Sequence, residues 1–477
     1  MNSKNLNIAF VLLIGIFIVF NPLSSKKFYG FEYEDSFVSS HVASQKNISK
    51  FIENYRTMGC ETMENGERKS YSSYTGHYAT YSIYLSGVTK VFNIQKPFLI
   101  HKAGNALLFT ICFFCIFFFY QDNFSFLLLF LGLISCLPVL YVFNSGLIEN
   151  MSFTFGLLLL LFLYKLKAIE RKIWLCLYLL ALIILVNIKR ENLIFLSTLI
   201  LIDPKKLIKS YIFWIWIGLF LFSQIVVNPF FTEGLESSYL GRSTFSYDYF
   251  KFQFPTYFAS FFRIDGFLII IIIILLLIKP TKQSFIFLGI WFLFIILYSF
   301  HYRGQYAIAA GKITHFESFR YMFNTLPLLI GYFLFGTIRK NFNKIYIFLF
   351  TCAMCFYLIY ENTLVIEDFA SEELNNYHNI NEKLNSLGSK KENIVIHDNF
   401  VLISMLNNDH KNIDVYSANS NDIMFIEGKE NILINRFKII NLNDFKDKYT
   451  FHLIDSLSTK GASAFSFEKT FSKNEKE

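Results

Sequence analysis

Charge is what this sequence has least of. Only 17% of its 477 residues are Asp, Glu, Lys or Arg, against roughly 25% in an ordinary soluble domain. The runs 267–278 and 284–300 have almost no polar interruption, which excludes a water-soluble fold of this size. Disulfides are excluded as a framework too. Of seven cysteines, Cys112, Cys115, Cys136, Cys176, Cys352 and Cys355 lie inside apolar runs, and only Cys60 falls in a polar segment. The CxxC spacings at Cys112/Cys115 and Cys352/Cys355 read as small packing residues rather than redox or metal sites. The run 7–20 is not followed by a small-x-small cleavage site, since Pro22, Lys26 and Lys27 come instead; it is expected to be an uncleaved first span. There is no internal repeat, no low-complexity tract and no nucleic-acid-binding module. The net charge of +8 is accounted for by Lys and Arg in short loops between spans.

What remains is 54% hydrophobic, with 59 Phe and 28 Tyr and a mean hydropathy of +0.40. These values describe an α-helical polytopic membrane protein. At roughly 17–25 apolar residues per crossing, about eleven transmembrane helices are expected. After 7–20 they fall near 103–120, 123–143, 150–164, 173–188, 193–203, 211–228, 265–278, 284–300, 321–338 and 344–360. The piece 193–203 is short and is expected to be half-embedded. Alternating these spans from a cytoplasmic N-terminus collects Lys165, Lys167, Arg171 and Lys172, then Lys205, Lys206 and Lys209, then Lys279 and Lys282, then Arg339, Lys340 and Lys344 on the inner side. The turn 144–149 on the other side has no Lys or Arg. This is the positive-inside pattern, and it puts the first loop (24–97), the loops 229–264 and 301–320, and the C-terminus outside. After residue 360 the composition turns Asn-, Lys- and acid-rich. Apolar runs at 394–396, 413–415 and 432–434, with a helical pattern at 399–406 between the first two, suggest a small C-terminal α/β extracytoplasmic domain over 361–477. That region has neither a glycine-rich phosphate loop nor metal-ligand spacing.

The polar residues of interest all lie at the outer ends of spans. Glu32, Glu34 and Asp35 follow the first span; carboxylates beside a bilayer are poor anchors, and their pKa values rise easily there. As plain loop charges they would be unremarkable; as bases they could serve a substrate held in the membrane. Tyr74, Tyr78 and Tyr81, with Gly76 and His77, suit an interfacial amphipathic helix, although the tyrosines alone would also serve as an aromatic belt. Glu149 and Asn150 sit at the mouth of the next hairpin. Lys189, Arg190 and Glu191 interrupt an otherwise apolar stretch, which is costly unless they face a tight surface turn, a water-filled cavity or a charged ligand. In the late loop His301, Arg303, Lys312, His315, Glu317 and Arg320 precede Tyr321 and the next span. Arg320 could snorkel, and the His and Glu spacing matches no standard metal site. Carboxylates for a base and guanidinium groups suited to phosphate oxygens thus share one side. A reaction on a lipid phosphate fits that pairing, with a carboxylate activating a hydroxyl and cations stabilising the departing phosphate.

With these residues in view the chain resembles the GT-C glycosyltransferases that use polyprenyl-phosphate sugars, the group containing protein O-mannosyltransferases and lipid A aminoarabinose transferases. The resemblance rests on the acidic pair Glu34-Asp35 after span one, Gly76-His77-Tyr78 leading into an interfacial helix, and Glu149 before span four. Arg190 in the fifth hydrophobic stretch, Arg320-Tyr321 with Pro327 in the following span, and the outer domain complete it. The family's prolines after the histidine are replaced by Ala79 and Thr80, and its Asp-first acidic pair begins here with Glu34. The resemblance implies a GT-C-like catalytic domain over 1–360, with Asp35 as the favoured base and Glu34 positioning it or acting in its place. It assigns His77 and Tyr81 to the sugar, Arg190, Arg320 and Lys189 to the lipid phosphate, and Glu149 and Tyr321 to substrate binding. No metal or other cofactor is implied, the sugar's configuration inverts, and the donor is a polyprenyl-phosphate-linked sugar. The acceptor would be an envelope glycan, lipid or protein, at a bacterial inner or plasma membrane. A lipid-linked glycan flippase or an O-antigen polymerase or ligase are the rival readings. The first would carry pseudo-symmetry and midplane charges.

Overall fold

The computed structural model describes residues 60–64, 67–71, 79–94, 100–101, 103–111, 148–232, 245–262, 278–300, 323–338, 382, 393–397, 415–418, 431–436, 449–457 and 465–472. Glu34, Asp35, His77, Arg320 and Tyr321, and the spans expected at 7–20, 123–143 and 344–360, lie outside these.

The first loop contributes an antiparallel hairpin of β1 (Cys60–Glu64) and β2 (Glu67–Tyr71). Asn65-Gly66 separates the two strands in sequence, the dipeptide best suited to a two-residue hairpin. Helix α1 (Thr80–Phe92) follows and buries Tyr81, Ser82, Leu85 and Val88. Their spacing of three and four residues is that of one helical face.

Helices α2 (Glu149–Ile169) and α3 (Lys172–Val186) form an antiparallel hairpin at the centre. Glu149 in the first turn of α2 is favourably placed for the helix dipole. Glu170, at φ 50°, ends α2 in the left-handed region and donates its N–H to the Leu166 carbonyl. On α3 the buried residues Leu175, Tyr178, Leu179, Leu182, Leu185 and Val186 make one stripe, which joins the leucines of α2 in the core.

The stretch 193–203, too short for an α-helical crossing, runs from one end of this hairpin to the other. It is part of a twelve-residue 3-10 helix, Arg190–Leu201. A 3-10 helix rises about 2.0 Å per residue, so twelve residues reach about 24 Å, where an α-helix would reach about 18 Å. Lys189, before it, pairs with Glu149 at the start of α2; Lys206, after it, pairs with Glu170 at the end of α2. The tighter winding and longer rise let few residues cover the distance.

Beyond it α4 (Pro204–Ile208) begins with proline, and the Asp203 side chain accepts from the Lys205 N–H. Then α5 (Tyr211–Phe222) passes through a π-turn (Ser223–Val227) into α6 (Asn228–Thr232). A further helix, α7 (Tyr247–Phe262), lies within what the sequence suggested was a loop. Its aromatic face, not visible as a long apolar run, stacks Phe250 on Phe300 at 4.5 Å and sets Tyr257 beside Tyr298 at 5.7 Å. Tyr298 and Phe300 belong to α8 (Lys282–Ser299) and its end; α8 starts with a reciprocal cap between Thr281 and Ser284. Helix α9 (Leu326–Leu334) packs against α2 and α8. There Gly156 is required: a Cβ on it would meet Pro327 Cγ at 2.6 Å. Close approach over small residues is the usual means of joining helices where lipid removes the hydrophobic drive.

Three helices among the described residues are long and apolar enough to cross a membrane, Glu149–Ile169, Tyr211–Phe231 and Lys282–Ser299, and Lys172–Val186 is apolar but shorter. The exposed Trp214, Ile215, Leu219, Phe222 and Ile225 suit a helix with lipid as its solvent.

Strands β3 (Ile278–Lys279) and β4 (Thr337–Ile338) form a short antiparallel ladder, and toward the C-terminus five further strands form one sheet. β5 (Asn393–His397) runs parallel to β6 (Val415–Ala418) and β7 (Asn431–Arg436); β5 and β7 cover the apolar runs 394–396 and 432–434, and β6 begins at the last residue of the run 413–415. β9 (Phe465–Ser472) and β8 (Tyr449–Leu457) extend it antiparallel. The expected helix at 399–406 lies outside the described residues. The β1–β2 hairpin meets this sheet through β6, so the first loop and the C-terminal region share a side.

Candidate functional site

The helical bundle has two polar ends of opposite character. One carries Lys165, Lys167, Arg171, Lys172, Lys205, Lys206 and Lys209, with Lys206 donating to both oxygens of Glu170 at 2.9 and 2.8 Å. That hydrogen bond raises the lysine's pKa above its usual value. The other end gathers the start of α2, the junction between α3 and the 3-10 helix, the end of α8 and the start of α9.

The centre of this second end is an ion pair that sequence order gives no hint of. Lys189 Nζ donates to Glu149 Oε1 at 3.0 Å across 40 residues, with Glu149 fully buried and Lys189 1% exposed. Glu191 Oε1 lies 3.8 Å from the same ammonium, and the Tyr298 hydroxyl lies 3.5 Å from that oxygen. Two carboxylates thus share one lysine. Placing such charges in a buried site is costly unless each is paired, and the geometry supplies the pairing.

Amides extend the cluster. Asn192 Nδ2 donates to Ser152 Oγ and to the Leu185 carbonyl, both at 2.9 Å, and Asn192 Oδ1 accepts from Asn324 Nδ2 at 3.2 Å. Asn150, Ser152, Asn192 and Asn324 are all buried. Buried amides with several partners lock the relative placement of the elements that carry them. Here those elements are α2, the 3-10 helix and the lead into α9.

Tyr81 stands on the α1 side of the same region. It is 1% exposed and its hydroxyl lies 3.2 Å from His101 Nδ1. Burial pushes its pKa well above the usual tyrosine value, and Tyr84 and the Glu149 charge push it further. Tyr81 is therefore a neutral phenol at physiological pH, able to donate or accept a hydrogen bond but not to act as a base. Tyr84 beside it donates to the Gly104 carbonyl at 2.6 Å.

Of the residues singled out from sequence, the structure brings Glu149 and Lys189 into contact and places the Glu149 charge close enough to act on Tyr81. Arg190 is exposed at the first position of the 3-10 helix. Glu34, Asp35, His77, Arg320 and Tyr321 lie outside the described residues. Sequence reasoning missed His101, Asn187, Asn192, Tyr298 and Asn324. Their signal was a lone polar residue at the edge of an apolar run, which does not by itself name a partner. Among the described residues no group of three or more His, Cys, Asp or Glu is arranged to hold a metal ion.

No family model matches the chain, and no curated protein matches it. Solved structures do. The crystal structure of ArnT from Cupriavidus metallidurans in the apo state superposes with a TM-score of 0.53 over 98% of this chain and 98% of that one, at 9% identity. A second crystal structure of that protein, bound to undecaprenyl phosphate, aligns over 96% of this chain and 97% of its own length, with a TM-score of 0.48 and 9% identity. At this identity the likeness is one of fold. The chain has a GT-C-like fold of the ArnT kind and is a multi-pass helical membrane protein.

Proposed function

We propose that this chain is a membrane glycosyltransferase that moves a sugar from a polyprenyl-phosphate donor to an extracytoplasmic acceptor, with inversion at the sugar. The observation that carries the reading is the concentration of buried ionic and amide groups at one end of a GT-C-like bundle, opposite the lysine-rich end. In a chain this poor in charge, desolvated carboxylates and a desolvated lysine need a reason beyond stability.

In the reaction a first-loop carboxylate, Asp35 or Glu34, takes the proton of an acceptor hydroxyl. The hydroxyl oxygen bonds to the sugar's anomeric carbon from the side opposite the phosphate, the carbon–oxygen bond to phosphate breaks, and polyprenyl phosphate leaves with the electron pair. Arg190 and Arg320 are suited to hold that phosphate, since guanidinium binds its oxygens bidentately. Lys189, already engaged by Glu149, serves by fixing the start of the 3-10 helix that carries Arg190 and Glu191, while Tyr81 shapes the sugar side. The bacterial envelope is the setting this chemistry suits, with the N-terminus on the lysine-rich side.

The test is label transfer from a panel of polyprenyl-phosphate sugars by purified protein in nanodiscs, comparing wild type with Glu34→Gln/Asp35→Asn. Release of polyprenyl phosphate that the double variant loses is the expected result. Absence of turnover with every donor by well-folded wild type would overturn the reading and favour a flippase.

A further inference from the structure

Thr80 opens helix α1, immediately before Tyr81. Threonine at a helix start commonly turns its hydroxyl onto the N–H groups of its own helix. Here α1 has no side-chain cap, and the Thr80 hydroxyl donates instead to the backbone carbonyl of Asn187 at 2.5 Å, 107 residues along the chain. That carbonyl belongs to the end of α3, where helix geometry leaves acceptors without an intrahelical donor.

Asn187 is itself held on every side. Its Nδ2 donates to the Ile183 carbonyl at 2.7 Å and to Ser223 Oγ at 3.1 Å. Its Oδ1 accepts from Gln224 Nε2 and Asn228 Nδ2, both at 3.0 Å. Ser223 and Asn228 are five residues apart, one turn of the π-winding that interrupts this apolar helix. The wide turn thus brings three polar side chains onto a single asparagine. Two residues after Asn187 comes Lys189, which holds Glu149. One short junction therefore receives α1 on one side and anchors the buried ion pair on the other.

We propose that the Thr80–Asn187 hydrogen bond is a positioning clasp that sets Tyr81 and His101, on the sugar side of the site, against the Glu149–Lys189 pair and Arg190, on the phosphate side. Thr80 is a positioning residue, since its hydroxyl touches no reacting group and acts through the Asn187 carbonyl. The clasp rests on the transferase reading. Its contribution is to the geometry of the reacting groups rather than to donor affinity.

Wild type, Thr80→Val and Thr80→Ser, purified in nanodiscs, are compared for kcat and donor KM with a donor that wild type uses, and for thermal stability. Valine keeps the shape and removes the donor; serine keeps the donor. Loss of one neutral hydrogen bond of about 1 kcal/mol from the transition state predicts a roughly fivefold fall in kcat for Thr80→Val. Donor KM should stay within about twofold, and Thr80→Ser should recover most of the rate. Should Thr80→Val fail to accumulate, Thr80→Ala against Thr80→Ser makes the same comparison. A wild-type kcat in Thr80→Val, a fall that merely follows loss of folded protein, or a serine variant as slow as valine would each overturn the clasp while leaving the transferase reading intact. Failure of wild type to turn over any donor overturns that reading, and the clasp's catalytic role with it.

Discussion

The sharpest consequence of the Glu149–Lys189 pair is an asymmetry between its partners. Glu149 is fully buried and Lys189 1% exposed, and the second carboxylate, Glu191, lies 3.8 Å from the same ammonium. Lys189→Met removes the cation that pairs with both acids, so Glu149 and Glu191 lose it together. Breaking a buried pair in this way costs about 3–5 kcal/mol. Glu149→Gln leaves Lys189 with Glu191 and keeps an amide oxygen to accept from it, so its cost should be nearer about 1–2 kcal/mol. In the double variant no charge is stranded at Glu149, and the destabilisation should fall below the sum of the singles by about 1 kcal/mol or more. Reversible unfolding in mixed detergent micelles, followed by circular dichroism, measures all four proteins in one cycle. Single-variant costs that simply add, or a Lys189→Met protein as stable as wild type, would refute the assignment of a buried, coupled pair.

Two further expectations follow from other parts of the structure. Gly156→Ala should destabilise by about 1–3 kcal/mol in the same unfolding assay, because the new Cβ would fall 2.6 Å from the ring of Pro327, which cannot rotate away; Gly218→Ala, with nothing within 4 Å, is the neutral control. Arg190→Ala should raise donor KM at least tenfold and leave acceptor KM within about twofold, measured by steady-state transfer; equal loss on both substrates would assign Arg190 to packing.

Much of the helical part was legible because membrane spans are written in composition. The stretches expected at 150–164, 173–188, 211–228 and 284–300 are found as helices, since a backbone in lipid must satisfy its own hydrogen bonds, and a long apolar run has few other ways to do so. The apolar runs 394–396 and 432–434 likewise lie within strands, and the run 413–415 meets one at Val415. Helix α7 was missed because its sequence, YDYFKFQFPTYFASFF, carries Asp248, Lys251 and Pro255 and so lacks the uninterrupted apolar signal. The 3-10 winding of 190–201 was missed because local composition scarcely distinguishes it from α-helix; it answers to the distance its two ends must bridge.

The sequence alone determined that this is a helical membrane protein and which segments are apolar enough to lie in lipid. Those properties follow from the solvent each residue must face, and solvent preference is a property of the residue itself. Only the tertiary structure decided that Lys189 answers Glu149, that Asn192 joins Ser152 to Asn324, and that Thr80 reaches Asn187. Each of those bonds crosses at least 40 residues of chain, and a partner at that distance is chosen by how the helices pack, which no local pattern specifies.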